Sequence, residues 1–108
     1  MNIAVMDTGG NLAYFQHMDD AYVVSIRIAQ LKAQTSAQTP YSTRNFREAS
    51  KGAPGLELVP GITTVAGGLP IMTTKGKQLG GLGVSGGTED QDEACAKAGL
   101  EAAKELLK

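Results

Sequence analysis

Gly80-Gly81-Leu82-Gly83-Val84-Ser85-Gly86-Gly87, preceded by Gly67-Gly68-Leu69-Pro70-Ile71 and followed by Thr88-Glu89-Asp90-Gln91, decides the fold. Gln78 to Ser85 reads as a strand whose glycines let another element come close. Gly86-Gly87 breaks it. Thr88 and Gln91 then form a capping box, and a helix runs from there toward the C-terminus. Its first turn is acidic and its last bears lysine, as the helix dipole favours. Upstream, Leu69 to Thr74 reads as another strand. Pro70 lacks an N–H, which places that strand at an edge or a bulge. Lys75-Gly76-Lys77 is a tight turn, and Ile62 to Ala66 is expected to be one more strand before Gly67-Gly68.

Further upstream, Lys51 to Gly61 carries two prolines and three glycines and is a loop. Ser42 or Thr43 opens a short helix through about Ser50, with Arg44, Arg47 and Glu48 exposed. Pro40 ends a longer helix, Tyr22 to about Gln38. Val23, Ile26, Ala29 and Ala33, flanked by Val24, Ile28 and Leu31, give that helix a broad apolar face. Asp19 and Asp20 precede it and can cap it. Asn2 to Thr8 and Leu12 to His17, joined by Asp7-Thr8-Gly9-Gly10-Asn11, read as a β-hairpin. The order β-β-α-α-β-β-β-α with short turns implies an α+β fold on an antiparallel five-stranded sheet. One sheet face has few helices to cover it, so an additional N-terminal helix or a neighbouring subunit is expected there.

The 108 residues make one domain, with 42% hydrophobic and 19% charged residues and a net charge of −1. No basic stripe exists to neutralise phosphates, which argues against nucleic acid as a partner. No apolar run reaches the ~20 residues of a membrane span. Met1-Asn2-Ile3-Ala4-Val5-Met6 lacks the basic start of a secretory leader, so the expected location is the cytoplasm. Cys95 has no second cysteine to pair with and is expected to be a buried thiol.

Three chemical motifs fail on context. Gly81-Leu82-Gly83-Val84-Ser85-Gly86 matches G-x-G-x-x-G, but no further strand follows the helix and Glu89, Asp90, Asp92 and Glu93 would repel a pyrophosphate. Gly83-Val84-Ser85-Gly86-Gly87 matches the nucleophile elbow, yet the one histidine, His17, lies far upstream of the serine. Asp7-Thr8-Gly9 resembles the aspartic-protease triplet, but it sits too early for the strands that precede that motif, and a hairpin turn accounts for it. His17 ends the second strand. It reads either as a half-exposed strand histidine or as an axial ligand to haem iron or another tetrapyrrole metal. Met18 beside it is a second soft donor or simply core packing. Lys32, inside the apolar stretch Leu31-Lys32-Ala33, either snorkels or reaches an anion.

Asp7-Thr8-Gly9-Gly10-Asn11-Leu12, Met18-Asp19-Asp20-Ala21, Ile28-Ala29, Lys32-Ala33-Gln34-Thr35, Pro60-Gly61, Ala66-Gly67-Gly68-Leu69-Pro70-Ile71 and the stretch from Gly80 to Gly87 with Asp92-Glu93 run in order along the chain. Together they resemble the GlcG/HbpS-like family, whose domain also forms the C-terminus of PduO-type cobalamin adenosyltransferases. The resemblance implies a profilin-like, five-stranded antiparallel sheet flanked by helices, usually preceded by a helix that this sequence lacks. It implies homodimers or larger assemblies and, in some members, haem or iron binding. It also implies a place near glycolate or diol utilisation systems.

Three functions stay open. The leading one is a small oligomeric accessory protein that binds haem or a related tetrapyrrole. In that reading His17 is the metal ligand, Met18 a second donor and Lys32 a partner for a propionate. The second is a structural or interaction module without a small ligand. The third is an enzyme degrading haem or acting on a small metabolite, for which no complete catalytic set is visible.

Overall fold

The computed structural model describes residues 1–18 and 21–108. β1 (Asn2–Asp7) and β2 (Leu12–His17) form the expected hairpin. Its turn is built by the Asp7 carboxylate, which accepts the backbone N–H groups of Gly9 and Asn11 at 2.9 Å each. The Asn11 N–H foremost, with help from the other donors, holds the Asp7 carboxyl below its ordinary value of 3.8. Gly10 has φ of 84°, a left-handed conformation that glycine adopts without a Cβ penalty. Asp-Thr-Gly is therefore a turn, as its position predicted.

α1 (Val24–Gln38) and α2 (Thr43–Ser50) follow, then β3 (Gly68–Met72), β4 (Gln78–Ser85) and α3 (Glu89–Ala103). The strands form one antiparallel sheet in the order β2-β1-β4-β3. Pro70 lies on β3, an edge strand, where its missing N–H costs no ladder bond. Ser42 caps α2 by accepting from the Asn45 N–H, and Thr88 with Gln91 forms the anticipated capping box on α3. The aspartates read as the cap of α1, Asp19 and Asp20, lie outside the described residues.

The described sheet has four strands, not five. Ile62 to Ala66 has strand-like residues, but its polar backbone groups are met by side chains rather than by a ladder. The Thr63 N–H donates to Thr35 Oγ1 at 3.0 Å, and the Thr64 carbonyl accepts from Arg47 Nε at 2.9 Å. Pairing with β4 begins only at Gly67, whose carbonyl accepts the Val84 N–H at 3.0 Å.

Alternation along β1 sends its residues to two cores. Ala4 and Met6 pack with Ala29, Ala33 and Ala37 of α1 on one face. Ile3 and Val5 join Leu69, Leu82, Val84 and Ala96 on the other, under α3. Of the face expected from Val23, Ile26, Ala29 and Ala33, the two alanines are fully buried, Ile26 is half-buried and Val23 is exposed. The buried side of α1 carries a stripe of small side chains, Ser25, Ala29, Ala33, Ser36 and Ala37, while Val23 and Val24 are exposed. The stripe exists because β4 offers glycine opposite it. A Cβ on Gly81 would stand 2.2 Å from the Ala33 carbonyl oxygen, and one on Gly83 2.2 Å from that of Ala29. Cys95 is half-buried at the margin of the second core. Among the described residues no helix is long and apolar enough to cross a membrane.

Candidate functional site

β2 is an edge strand, and His17 ends it at the surface. The register sets His17 opposite Asn2 on β1. Asn2 is fully buried, and its side chain lies between two partners. Its Oδ1 faces His17 Nδ1, and its Nδ2 donates to Ser25 Oγ. Ser25, near the start of α1 and 4% exposed, donates its own proton to the Tyr22 carbonyl at 2.8 Å. A chain of hydrogen bonds thus runs from the imidazole through β1 to the first turn of α1. His17 Nε2 has no hydrogen-bond partner among the described residues and points away from this chain of bonds.

Among the described residues, the segment that follows the imidazole carries exposed apolar side chains. Met18 is 40% exposed, Tyr22 79%, Val23 77% and Val24 68%. The Met18 carbonyl accepts the Ala21 N–H at 3.0 Å, and the Met18 N–H donates to the Met1 carbonyl at 3.1 Å. Burying large apolar side chains normally stabilises a domain, so this run of exposed ones is a candidate contact surface. His17 and Met18 stand side by side at the end of β2, and the sequence did not single out Tyr22, Val23 and Val24 as further exposed residues of this region.

Lys32 is not part of this surface. Its side chain is 1% exposed, and Nζ lies 2.8 Å from the Val84 carbonyl oxygen and 3.0 Å from Asp92 Oδ2. It does reach an anion, but one the protein itself supplies. Desolvating an ammonium is costly, so a buried lysine needs such a partner. Asp92 Oδ1 also accepts the Gly87 N–H at 2.9 Å, which fixes the carboxylate at the start of α3. The sequence showed Asp92 as an acidic residue of the helix N-terminus and as part of the family pattern, but not as the partner of Lys32.

Two depressions lie elsewhere. One, of about 340 Å³, is lined by Arg47, Ser50, Lys51, Pro54, Glu57 and Thr64. Its cations are already engaged, Arg47 with Glu89 at 2.6 Å and Lys51 with Glu48 at 2.9 Å. Arg44 makes a parallel clamp on Glu93 and Asp90, and its hydrogen bonds to Glu93 first and Asp90 second raise its already high pKa. These arginines, expected to be simply exposed, join α2 to the first turn of α3. The second depression, of about 320 Å³, lies under the end of α3 between Val5, Ile71, Leu82, Leu100 and Leu107. It is apolar and carries no titratable group. Among the described residues no three His, Cys, Asp or Glu side chains converge as a metal site.

The chain belongs to the HbpS-like family. The family model described as haem degrading protein HbpS-like matches residues 1–101. An uncharacterised 15.0 kDa protein of the dhaT-dhaS intergenic region of Citrobacter freundii is 40% identical over 108 residues, covering 95% of this chain and 75% of that protein. Among solved structures, a double mutant of HbpS from Streptomyces reticuli superposes with a TM-score of 0.86 at 34% identity, over 94% of this chain and 69% of that one. A complex of PduOC with haem superposes with a TM-score of 0.84 at 31% identity, over 94% of this chain and 76% of that one.

Proposed function

We propose that this HbpS-like chain is a tetrapyrrole-binding protein in which His17 Nε2 is the axial donor to the metal of haem or a related ring. The observation that carries this reading is an exposed His17 whose Nδ1 is engaged and whose Nε2 has no partner among the described residues, followed in the chain by the exposed side chains of Met18, Tyr22, Val23 and Val24. A flat, largely apolar ring with a central metal requires that pairing of one nitrogen donor with an apolar platform. The solved haem complex of PduOC supports the ligand class by likeness. Bound iron would supply redox or gas-binding chemistry. The protein's own residues orient the ring and exclude water from one of its faces.

With Lys32 enclosed, a propionate must meet a different cation. Arg27 is exposed and stands one helical turn beyond Val23, on the same side of α1. It takes the role expected of Lys32. Titrating the protein with hemin and following the Soret band tests the reading. Saturable binding that His17→Ala weakens at least tenfold is expected. Identical binding by His17→Ala would overturn His17 as the ligand.

A second reading, an interaction module, is favoured by the apolar groove under α3, which offers a contact surface and no chemistry. It predicts self-association by light scattering and no thermal shift with hemin.

A further inference from the structure

A histidine can coordinate a metal through Nε2 only if that nitrogen carries a lone pair, so the tautomer decides whether His17 is ready to act. Free neutral histidine prefers the opposite form, with the proton on Nε2. What surrounds Nδ1 therefore matters as much as what Nε2 faces.

The hydrogen-bond chain settles the proton positions by counting. Ser25 has one hydroxyl proton, and the Tyr22 carbonyl, which can only accept, takes it at 2.8 Å. Ser25 Oγ must then accept from Asn2, so the group of Asn2 that faces it is the NH₂. The opposite end of the amide, which faces His17, is consequently Oδ1. An amide oxygen can only accept, so His17 Nδ1 must carry the proton. Turning the Asn2 amide over would set the lone pairs of Oδ1 against those of Ser25 Oγ, whose one proton the Tyr22 carbonyl holds. Asn2 is fully buried and Ser25 is 4% exposed, so water does not compete for these bonds.

We infer that Asn2 and Ser25 are positioning residues that lock His17 in the Nδ1–H tautomer and leave its Nε2 lone pair free for a ligand. The relay deepens the reading of His17 as an axial donor and rests on it for its purpose, though not for its existence. Its acceptor is a neutral amide rather than a carboxylate. It therefore orients the ring without pulling it toward imidazolate, and leaves the donor a neutral imidazole.

The test reads the tautomer in the protein without any ligand. Long-range ¹⁵N–¹H correlation spectra of the imidazole, recorded at a pH where the ring is neutral, distinguish a protonated Nδ1 from a protonated Nε2. The native chain is expected to show Nδ1–H. Ser25→Ala frees the Asn2 amide to turn, and the spectrum is expected to move toward Nε2–H. Ser25→Thr retains a hydroxyl and is expected to restore the native pattern. In a parallel hemin titration, Ser25→Ala should weaken binding about 10- to 100-fold, the usual cost of losing an outer-shell partner, and Ser25→Thr should recover most of it. Nε2–H in the native chain, or a Ser25→Ala spectrum identical to it, would overturn the relay. A native Nδ1–H spectrum without hemin binding would sustain the relay and overturn the tetrapyrrole reading instead.

Discussion

The ammonium of Lys32 lies 3.0 Å from the carboxylate of Asp92, with the two side chains 1% and 3% exposed. α1 and α3 lie on opposite faces of the sheet, so this contact passes around the end of β4 and ties the two layers together. Gly67 makes room for it. A Cβ there would stand 2.7 Å from Lys32 Nζ and 2.6 Å from the Val84 carbonyl oxygen. The glycine-rich stretch is thus a passage for a buried ion pair as well as a close-packing surface. Its resemblance to a phosphate loop has no chemical content.

Removing one member of that pair leaves the other charge buried and unpaired. Asp92→Ala is expected to cost about 3–5 kcal/mol of unfolding free energy, measured by urea denaturation. The double variant Lys32→Met with Asp92→Leu removes both charges and should recover most of the loss. The Gly87 N–H, left without its acceptor, keeps the recovery incomplete. A double variant as unstable as Asp92→Ala would show that the loss comes from packing rather than from charge.

Gly81 and Gly83 meet backbone, which cannot step aside as a flexible side chain would. Alanine at either position should push α1 off the sheet and cost at least about 3 kcal/mol, the upper end of ordinary overpacking. Gly99 is the contrast. It lies within α3, and a Cβ there would approach only Leu82 Cδ2, at 3.7 Å. Gly99→Ala should therefore stabilise the chain by about 0.5–1 kcal/mol through helix propensity. Thermal melts of the three variants check this ordering.

How much of this was legible in the sequence follows from the range of each interaction. The Asp7 turn, the Ser42 cap, the Thr88–Gln91 box and the strand of Gln78 to Ser85 are set by residues a few positions apart, and they stand where the sequence puts them. Ile62 to Ala66 misleads because its β-propensity is local, whereas its partners Thr35 and Arg47 come from two helices. Val23 misleads for a related reason: hydrophobic periodicity favours large residues, but glycines on β4 select the small ones, Ala29 and Ala33, from the same expected face. The Lys32–Asp92 pair spans 60 positions, and the link from Asn2 to Ser25 spans 23. A lone lysine in an apolar helix signals that a counter-ion must exist, without saying which. His17 stood out as the one imidazole, but the group that orients it could emerge only from the register of β1 against β2.

Arg47 and Glu89 give a pH dependence with a definite sign. The hydrogen bond from Arg47 is the main cause that holds the Glu89 carboxyl below its ordinary 4.5. A group lowered on folding stabilises the native state above its unfolded pKa and loses that contribution as pH falls through the folded value. Glu89→Gln should therefore be less stable than the native chain near neutrality, and the gap should close as pH drops below about 4.5. Both side chains are more than a third exposed, so the neutral-pH difference should stay within about 1 kcal/mol and shrink in high salt. Urea midpoints across roughly pH 2–7, the range in which carboxylates titrate, measure it.

The platform beside His17 can be separated from the fold, because its members are exposed. Val23→Ser changes a side chain that is 77% exposed and should leave the urea midpoint within the roughly 0.5 kcal/mol expected of surface substitutions. If a ring lies on this surface, the same change removes an apolar contact worth about 1.5 kcal/mol when covered, which weakens hemin binding roughly tenfold. Arg27→Gln should act differently, weakening hemin binding and flattening its salt dependence, since it removes a charge rather than a contact area. Leu106→Ser is the control. Leu106 is 86% exposed, but it follows α3, on the opposite side of the sheet from α1. It should leave hemin binding unchanged. A Val23→Ser protein that binds hemin normally but changes its mass in light scattering would reassign the patch to a subunit contact. A protein altered in neither respect would remove the platform from any function.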